Sequence, residues 1–298
     1  MAESGQELPD GFLFLKEPIN LTQPARMEKA ILGLDIGGTG IKGGVLVKGH
    51  LEDIRSIPTP ALESQEHILE TIASFIETYA HYDFVGIGIG IPGLVDTQKG
   101  IVLGLANIPS FQHVELKKFL TMRFGKPVFI NNDANCFAIG VHKYGVGKPY
   151  KNLVGITLGT GTGGGIVING HLYSGLFSSA GEWCSAPYLE HNYEYYCSGK
   201  FFQNFYHSKP KALAKLALAG DKTAIQAFDE FGHHLGELLK VIMFSLAPEA
   251  IVLGGSIRKT FPLFKKSMMA TLNTFAYKTV LASTCLLYTS PSPRDRQK

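Results

Sequence analysis

Twice along the chain a short apolar strand runs into a glycine-rich turn and comes back as a hairpin, once at 34–45 and again at 156–168. No shorter period repeats, so a solenoid is excluded and a duplicated, two-lobed α/β fold is the simplest expectation. Each copy supplies strands: 30–36, 41–47 and 51–57 in the first half, and 153–158, 166–168 and 171–173 in the second, the last pair joined by Asn169-Gly170. Residues 85–91 alternate branched side chains with Gly86, Gly88 and Gly90, a period of two that leaves one strand face bare. Helical spacing marks 66–80, 114–124 and a long segment after Asp221, whose stripe runs through Phe228, Phe231, Leu235, Leu238, Leu239, Ile242 and Leu246. A further strand, 250–253, opens into Gly254-Gly255-Ser256.

Composition narrows the class. In 298 residues, 45% hydrophobic and 18% charged side chains describe a globular chain with a sizeable core. The formal net charge is +3, and the last fourteen residues hold three basic and one acidic side chain. The body is therefore close to neutral, without the electrostatic footprint of a nucleic-acid binder. The four cysteines show no paired spacing, which fits a reducing cytoplasm and not a disulfide framework. No apolar run reaches the length of a membrane span, so no membrane association is expected. Glu3, Glu7 and Asp10 precede the first basic residue, unlike a signal peptide. Residues 1–26 are expected to be disordered or an upstream extension, with Met27 as the natural start. Cys285 to Asp295 reads CLLYTSPSPRD, the translation of a sequencing-adaptor end. On that reading 285–298 are a foreign tail, 27–131 form an N-terminal lobe, and 132–284 form a C-terminal lobe cut short of its last strand and helix.

Chemistry concentrates in the stretch PVFINNDAN, 127–135. Val128, Phe129 and Ile130 make a strand that passes straight into Asn131, Asn132 and Asp133, with a helix beginning at once. This places a carboxylate at the carboxyl end of a strand, the edge where open α/β sheets bind ligands. The simplest alternative is that Asp133 only caps the helix by accepting the amides of Asn135 or Cys136. The neighbouring glycine loops favour chemistry.

Asp35-Ile36-Gly37-Gly38-Thr39-Gly40 is a strand end followed by a turn of small residues, whose bare amides suit phosphate oxygens and whose glycines permit positive φ. It is neither a Walker loop, because no Gly-Lys-Ser/Thr follows, nor a dinucleotide fingerprint, because a hairpin follows where that needs a helix. Asp35 could hold Mg²⁺ through water. Gly159 to Gly165, seven residues drawn only from Gly and Thr, offers a second cradle of amides and hydroxyls.

Taken together and in order, Asp35-Ile36-Gly37-Gly38-Thr39, Pro92-Gly93, Asn132-Asp133-Ala134-Asn135, Gly159 to Gly165, Gly181-Glu182 and Gly254-Gly255 resemble the ROK family of sugar kinases and sugar-responsive repressors. The resemblance covers 29–279 and implies the two-lobed actin/hexokinase-like fold, a duplicated ribonuclease H-like α/β arrangement of mixed sheets with an inter-lobe cleft. It implies an ATP-dependent hexose kinase acting on the 6-hydroxyl of glucose, with ATP and Mg²⁺ as cofactors and a small-molecule sugar as partner, and it accommodates a homodimer. Carried over residue by residue, Asp133 resembles the general base and Asp35 the carboxylate near Mg²⁺. Gly37, Gly38, Thr39, Gly159, Thr160, Gly161 and Thr162 resemble the phosphate loops, and Gly254 and Gly255 the adenosine contact. Asn107, Asn132, Glu182 and Glu194 fall where sugar hydroxyls are bound.

The chain also departs from the pattern. Ser185 stands where many relatives have a histidine, and only Cys197 remains of their downstream cysteine cluster, so structural zinc is not expected. The shorter Ser185 leaves an N-acetylhexosamine or mannose kinase as the alternative within sugar kinases. A sugar-responsive repressor would need a helix-turn-helix, for which a leader broken by Pro9, Pro18 and Pro24 is poorly suited. An inactive sugar-binding protein is the remaining alternative.

Overall fold

The computed structural model describes residues 29–289, which divide into two units. The first takes 29–136 together with Ser174–Ala180; the second takes Phe137–Tyr173 and the chain from Gly181 on.

In the first unit, β1 (Ala30–Ile36), β2 (Gly40–Val47) and β3 (His50–Pro58) form an antiparallel meander. Helix α1 (Gln65–Glu77) leads to β4 (Phe84–Ile91), which pairs in parallel with β1. Three short strands follow as a separate sheet, β5 (Leu94–Asp96), β6 (Ile101–Gly104) and β7 (Gln112–Val114). Helix α2 (Leu116–Phe124) then brings in β8 (Val128–Asn132), parallel to β4, and α3 (Asp133–Tyr144) begins. The main sheet has the order β3-β2-β1-β4-β8.

The second unit repeats the plan. Strands β9 (Leu153–Leu158), β10 (Thr162–Ile168) and β11 (His171–Tyr173) form the meander. After the small hairpin β12 (Pro187–Tyr188) and β13 (His191–Asn192) come α4 (Tyr193–Cys197), α5 (Gly199–Tyr206), α6 (Pro210–Leu218) and α7 (Lys222–Leu246). Strand β14 (Ala250–Gly254), helices α8 (Phe261–Leu272) and α9 (Lys278–Ser283), and β15 (Cys285–Tyr288) complete it. The order β11-β10-β9-β14-β15, a meander followed by two parallel strands, matches the first sheet strand for strand. The expected duplication is thus present in the hydrogen-bond topology.

Side-chain alternation explains why each sheet has one covered face. Along β1, Leu32, Leu34 and Ile36 are buried while Gly33 and Asp35 between them are exposed. The buried set joins Ile68, Ile72, Phe75 and Ile76 of α1 in one core. Ser64 caps α1, its hydroxyl accepting the His67 N–H at 3.2 Å. A cavity of about 670 Å³ lies on the sheet, lined by Gly33, Gly44, Gly88 and Phe129 and reaching Asp35. The lining predicts a contrast between glycines. A Cβ on Gly43 would meet Tyr79 Oη at 2.8 Å and Phe75 Cε1 at 2.9 Å, whereas one on Gly88 would meet nothing within 4 Å. Phe75 and Tyr79 are fully packed and cannot yield. Gly43→Ala is expected to cost about 1–3 kcal/mol, and Gly88→Ala to be neutral or to stabilise by about 0.4–1 kcal/mol through the unfolded chain. Urea denaturation of both variants checks this; equal midpoints would contradict it.

The structure adjusts several expectations. Residues 112–114 are a strand and α2 starts only at Leu116. Strand β10 starts at Thr162 and absorbs four of the seven Gly/Thr residues, because bare backbone lets Gly164 press against Gly181 and Trp183. Residues 132–136 and 174–180 go with the first unit, the latter through Asn131 Nδ2 to Ser174 Oγ at 3.4 Å, Asn135 Nδ2 to Ser178 O at 3.2 Å and Ser178 Oγ to Val95 O at 3.2 Å. Cys285–Tyr288, set aside above as foreign, pair with β14, and Leu286 and Leu287 are buried; four apolar residues suffice to extend the sheet. The expected extension over 1–26 lies outside the described residues, as does the end of the tail.

Candidate functional site

The β8–α3 junction is built around Asn132, not Asp133. Asn132 Oδ1 accepts the N–H of Ala134 at 2.9 Å and of Asn135 at 3.3 Å, and its Nδ2 donates to Gly93 O at 3.1 Å. Asn132 is thus the helix cap and the tie to the Pro92-Gly93 turn, and it is 5% exposed. Asp133 is spared that duty. Its Oδ1 accepts the adjoining Ala134 N–H at 2.8 Å, the carboxyl is also met by its own backbone N–H, and the residue stays exposed.

The electrostatics of Asp133 follow from its setting. Although one side is open, protein surrounds the carboxyl closely enough that desolvation raises its pKa; the Ala134 N–H opposes this, and the charge of Asp35 adds to the rise. The Cys136 thiol reports the same pair of charges, pushed up to about 12 first by burial and then by Asp133 and Asp35. Sheet register explains the grouping: Asp35 pairs with Gly90, and Gly90 with Asn131. A Cβ on Gly90 would already stand 3.5 Å from Asp133 Cα, so a longer side chain would push α3 away. Lys42 pairs with Asp35 at 3.2 Å, both side chains being more than half exposed.

The turn after β1 also belongs to this unit. Gly37 N–H donates to Gly40 O at 3.0 Å, and Thr59 Oγ1 to Gly37 O at 2.6 Å. Positive φ, expected of these glycines, is not what the turn uses; neither Gly37 nor Gly38 adopts it. Close approach is the reason at Gly38, where a Cβ would fall 2.5 Å from Asn107 Cβ. Asn107 and Gly38, named separately from sequence, are therefore in contact, and Thr39 is exposed beside them.

In the second unit, Gly159 N–H donates to Gly161 O at 2.9 Å, closing a tight turn between β9 and β10. Thr160 is exposed on it, whereas the Thr162 hydroxyl is buried and donates to Cys197 O at 2.7 Å. Glu194 lies against this turn: its Oε2 accepts the Thr162 N–H at 3.3 Å, and a Cβ on Gly161 would meet that oxygen at 2.7 Å. Sequence reasoning missed this contact, and it missed Lys200, which pairs with Glu194. Glu182 opens the turn Glu182–Ser185, where Ser185 Oγ donates to Glu182 Oε2 at 3.3 Å. Gly254 makes room for the Phe137 ring, and Gly255 has φ +81° with Leu158 O only 2.2 Å from where its Cβ would lie. Among the described residues no group of three or more His, Cys, Asp or Glu side chains gathers to hold a metal, and no helix is long and apolar enough to cross a membrane.

Two like five-stranded sheets, each with a glycine turn after its first strand, define a fold of the hexokinase-like, actin-related class. The chain belongs to the ROK family, which it matches over residues 31–295. It is 40% identical over 154 residues to a glucokinase of Streptomyces coelicolor, covering 51% of this chain and 48% of that protein. It is 32% identical over 256 residues to an N-acetyl-D-glucosamine kinase of Photobacterium profundum, covering 76% and 83%. A xylose repressor of Bacillus subtilis is 30% identical over 271 residues, covering 83% and 69%. The match with the S. coelicolor glucokinase thus spans about half of that relative's length. Among solved structures, a ROK family glucokinase from Streptomyces griseus in complex with glucose and AMPPNP superposes with a TM-score of 0.73 at 25% identity, covering 87% of this chain and 94% of that one.

Proposed function

We propose that the protein is an ATP-dependent hexose kinase that phosphorylates the 6-hydroxyl of glucose. The observation that carries this reading is the state of Asp133: uncommitted to the helix cap, exposed, and with its pKa raised by burial and by Asp35. Those are the properties of a general base, which needs reach to a hydroxyl and a proton affinity above that of a free aspartate. A residue kept only for helix capping would show the opposite.

Phosphoryl transfer asks little covalent chemistry of a protein beyond alignment and stabilised charge. Asp133 takes the proton from the sugar hydroxyl as the oxygen attacks. In the turns Gly37–Thr39 and Gly159–Thr162, whose Gly37, Gly159 and Thr162 amides are used internally, the amides of Gly38, Thr39, Thr160 and Gly161 hold the donor phosphates, with Thr160 adding an exposed hydroxyl. Gly254 and Gly255 contact the adenosine through their backbone, the space beside them being taken by the Phe137 ring and by Leu158 O. Asn107, Glu182 and Glu194 bind sugar hydroxyls, while Asn132 acts mainly by fixing the junction, its amide being largely used internally. The exposed carboxylate of Asp35 suits a hard divalent cation held through water, which leaves Asp133 free as the base. Mg²⁺ bound there would neutralise charge on the donor phosphates.

Ser185 favours a second reading, a kinase for N-acetylhexosamines or mannose, because a hydroxymethyl in place of an imidazole leaves room beside Glu182. A coupled ADP-release assay over glucose, mannose, N-acetylglucosamine and N-acetylmannosamine decides. Glucose is expected to give the highest kcat/KM; turnover with glucose no greater than without sugar would end the glucose assignment. The retained, exposed Asp133 argues against a purely regulatory protein, and the same assay with all sugars silent would support one.

A further inference from the structure

Resting on the phosphotransfer reading above, we propose that Lys200 is a binding residue for the donor nucleotide's phosphates, held at the Gly159–Thr162 turn by Glu194. Three contacts within the second unit carry this. Gly199, the first residue of α5, donates its N–H to Gly159 O at 2.8 Å, and a Cβ on Gly199 would stand 3.0 Å from that oxygen, so α5 starts against the turn. The Lys200 ammonium pairs with Glu194 Oε1. Glu194 Oε2 in turn accepts the Thr162 N–H at 3.3 Å. One carboxylate therefore ties the ammonium to the backbone of the turn.

Charge and donor count make this arrangement a phosphate site and not merely an ion pair. A lone carboxylate against a turn of bare amides would repel any polyanion that the turn attracts. Lys200 cancels that charge where it does most harm. An ammonium has three N–H donors and Glu194 uses one, which leaves two for phosphate oxygens. About half of the Lys200 side chain is open, 49% against 31% for Glu194, so the cation is the more accessible partner. Anchoring through Glu194 also restricts a side chain that otherwise loses much rotamer entropy on binding. The first-turn position adds the positive end of α5, whose Lys200 N–H is meanwhile satisfied by Ser198 Oγ at 3.1 Å.

The test is calorimetric titration of the full chain with MgADP in wild type, Lys200→Gln and Lys200→Arg, alongside glucose titration read from Trp183, the single tryptophan. Losing a charged hydrogen-bond donor is expected to weaken MgADP binding by about tenfold or more in Lys200→Gln. Lys200→Arg should recover most of the loss, glucose binding should move less than about twofold, and the salt dependence of MgADP affinity should flatten in Lys200→Gln. Unchanged MgADP affinity in Lys200→Gln overturns the proposal. So does a variant that keeps MgADP and loses glucose, since Lys200 would then only position Glu194. Absence of MgADP binding in the wild type removes the kinase reading and this inference with it, whereas wild-type binding with unchanged affinity in Lys200→Gln removes this inference alone.

Discussion

Asp133→Asn is expected to lower kcat by about 10²–10⁴-fold, the contribution of one well-placed general base, while sugar affinity stays within a few-fold of wild type. Asparagine can still accept the Ala134 N–H and the cap belongs to Asn132, so the fold has no reason to suffer. Stability should move the other way. A carboxyl whose folded pKa is raised above its unfolded value favours the folded state in its protonated form, and it becomes a cost as pH climbs through the folded pKa. At neutral pH the neutral amide removes that cost, so the variant should melt at or slightly above the wild-type temperature. The pH profile gives an independent check. A base must be deprotonated, so wild-type kcat/KM falls as pH drops through the raised pKa. Because Asp35 contributes to the rise, Asp35→Asn should shift that acidic limb to lower pH, whatever it does to the plateau. An acidic limb unmoved in Asp35→Asn, or activity retained in Asp133→Asn, would take Asp133 out of the proton transfer.

Gly232→Val is expected to destabilise the second unit by about 1–3 kcal/mol or more, despite replacing the poorest ordinary helix former short of proline. Helix α7 carries Gly232 and Gly236 one turn apart on a buried face, and α8 crosses there backbone to backbone. A Cβ on Gly232 would lie 2.5 Å from Phe264 O and 3.1 Å from Met268 N; one on Gly236 would lie 3.0 Å from Met268 O. These are main-chain atoms of a helix whose Phe264, Met268 and Leu272 are fully buried, so relief requires moving the whole helix. Even Gly232→Ala, which gains about 1 kcal/mol of helix propensity, should lose on balance. Guanidinium denaturation of the two variants measures it. A rise in midpoint by the propensity amount would mean that α8 can back away, and the close crossing would cease to explain the glycines.

Legibility followed the range of the interaction. The apolar run 30–36, the period-two alternation in 85–91 and the long stripe after Asp221 are local patterns, and they became β1, β4 and α7. Asp221 caps α7 as such a residue should, its Oδ1 accepting the Ala224 N–H at 2.8 Å. The short strands β5, β6 and β7 had no such signature, because three or four residues give too few repeats to show a period. At the candidate site, Asp133, Asp35 and the Gly/Thr turn could be named from residue type and order. Their division of labour could not. Asn132 rather than Asp133 caps α3, Gly38 exists for Asn107 rather than for a positive φ, and Glu194 reaches the turn at Gly161 from thirty-three residues away. Each depends on which distant backbone comes within hydrogen-bonding distance, a fact that no local window contains.

The order of strands, glycine turns and acidic junctions along the chain was enough to determine a duplicated α/β fold and the kind of chemistry its polar residues suit, because hydrophobic period and turn composition act over a few residues. Which glycines are indispensable, which amide is structural and which carboxylate is left with a raised proton affinity were decided by tertiary packing alone. Desolvation and close backbone approach are properties of the space around a group, and only the folded chain defines that space.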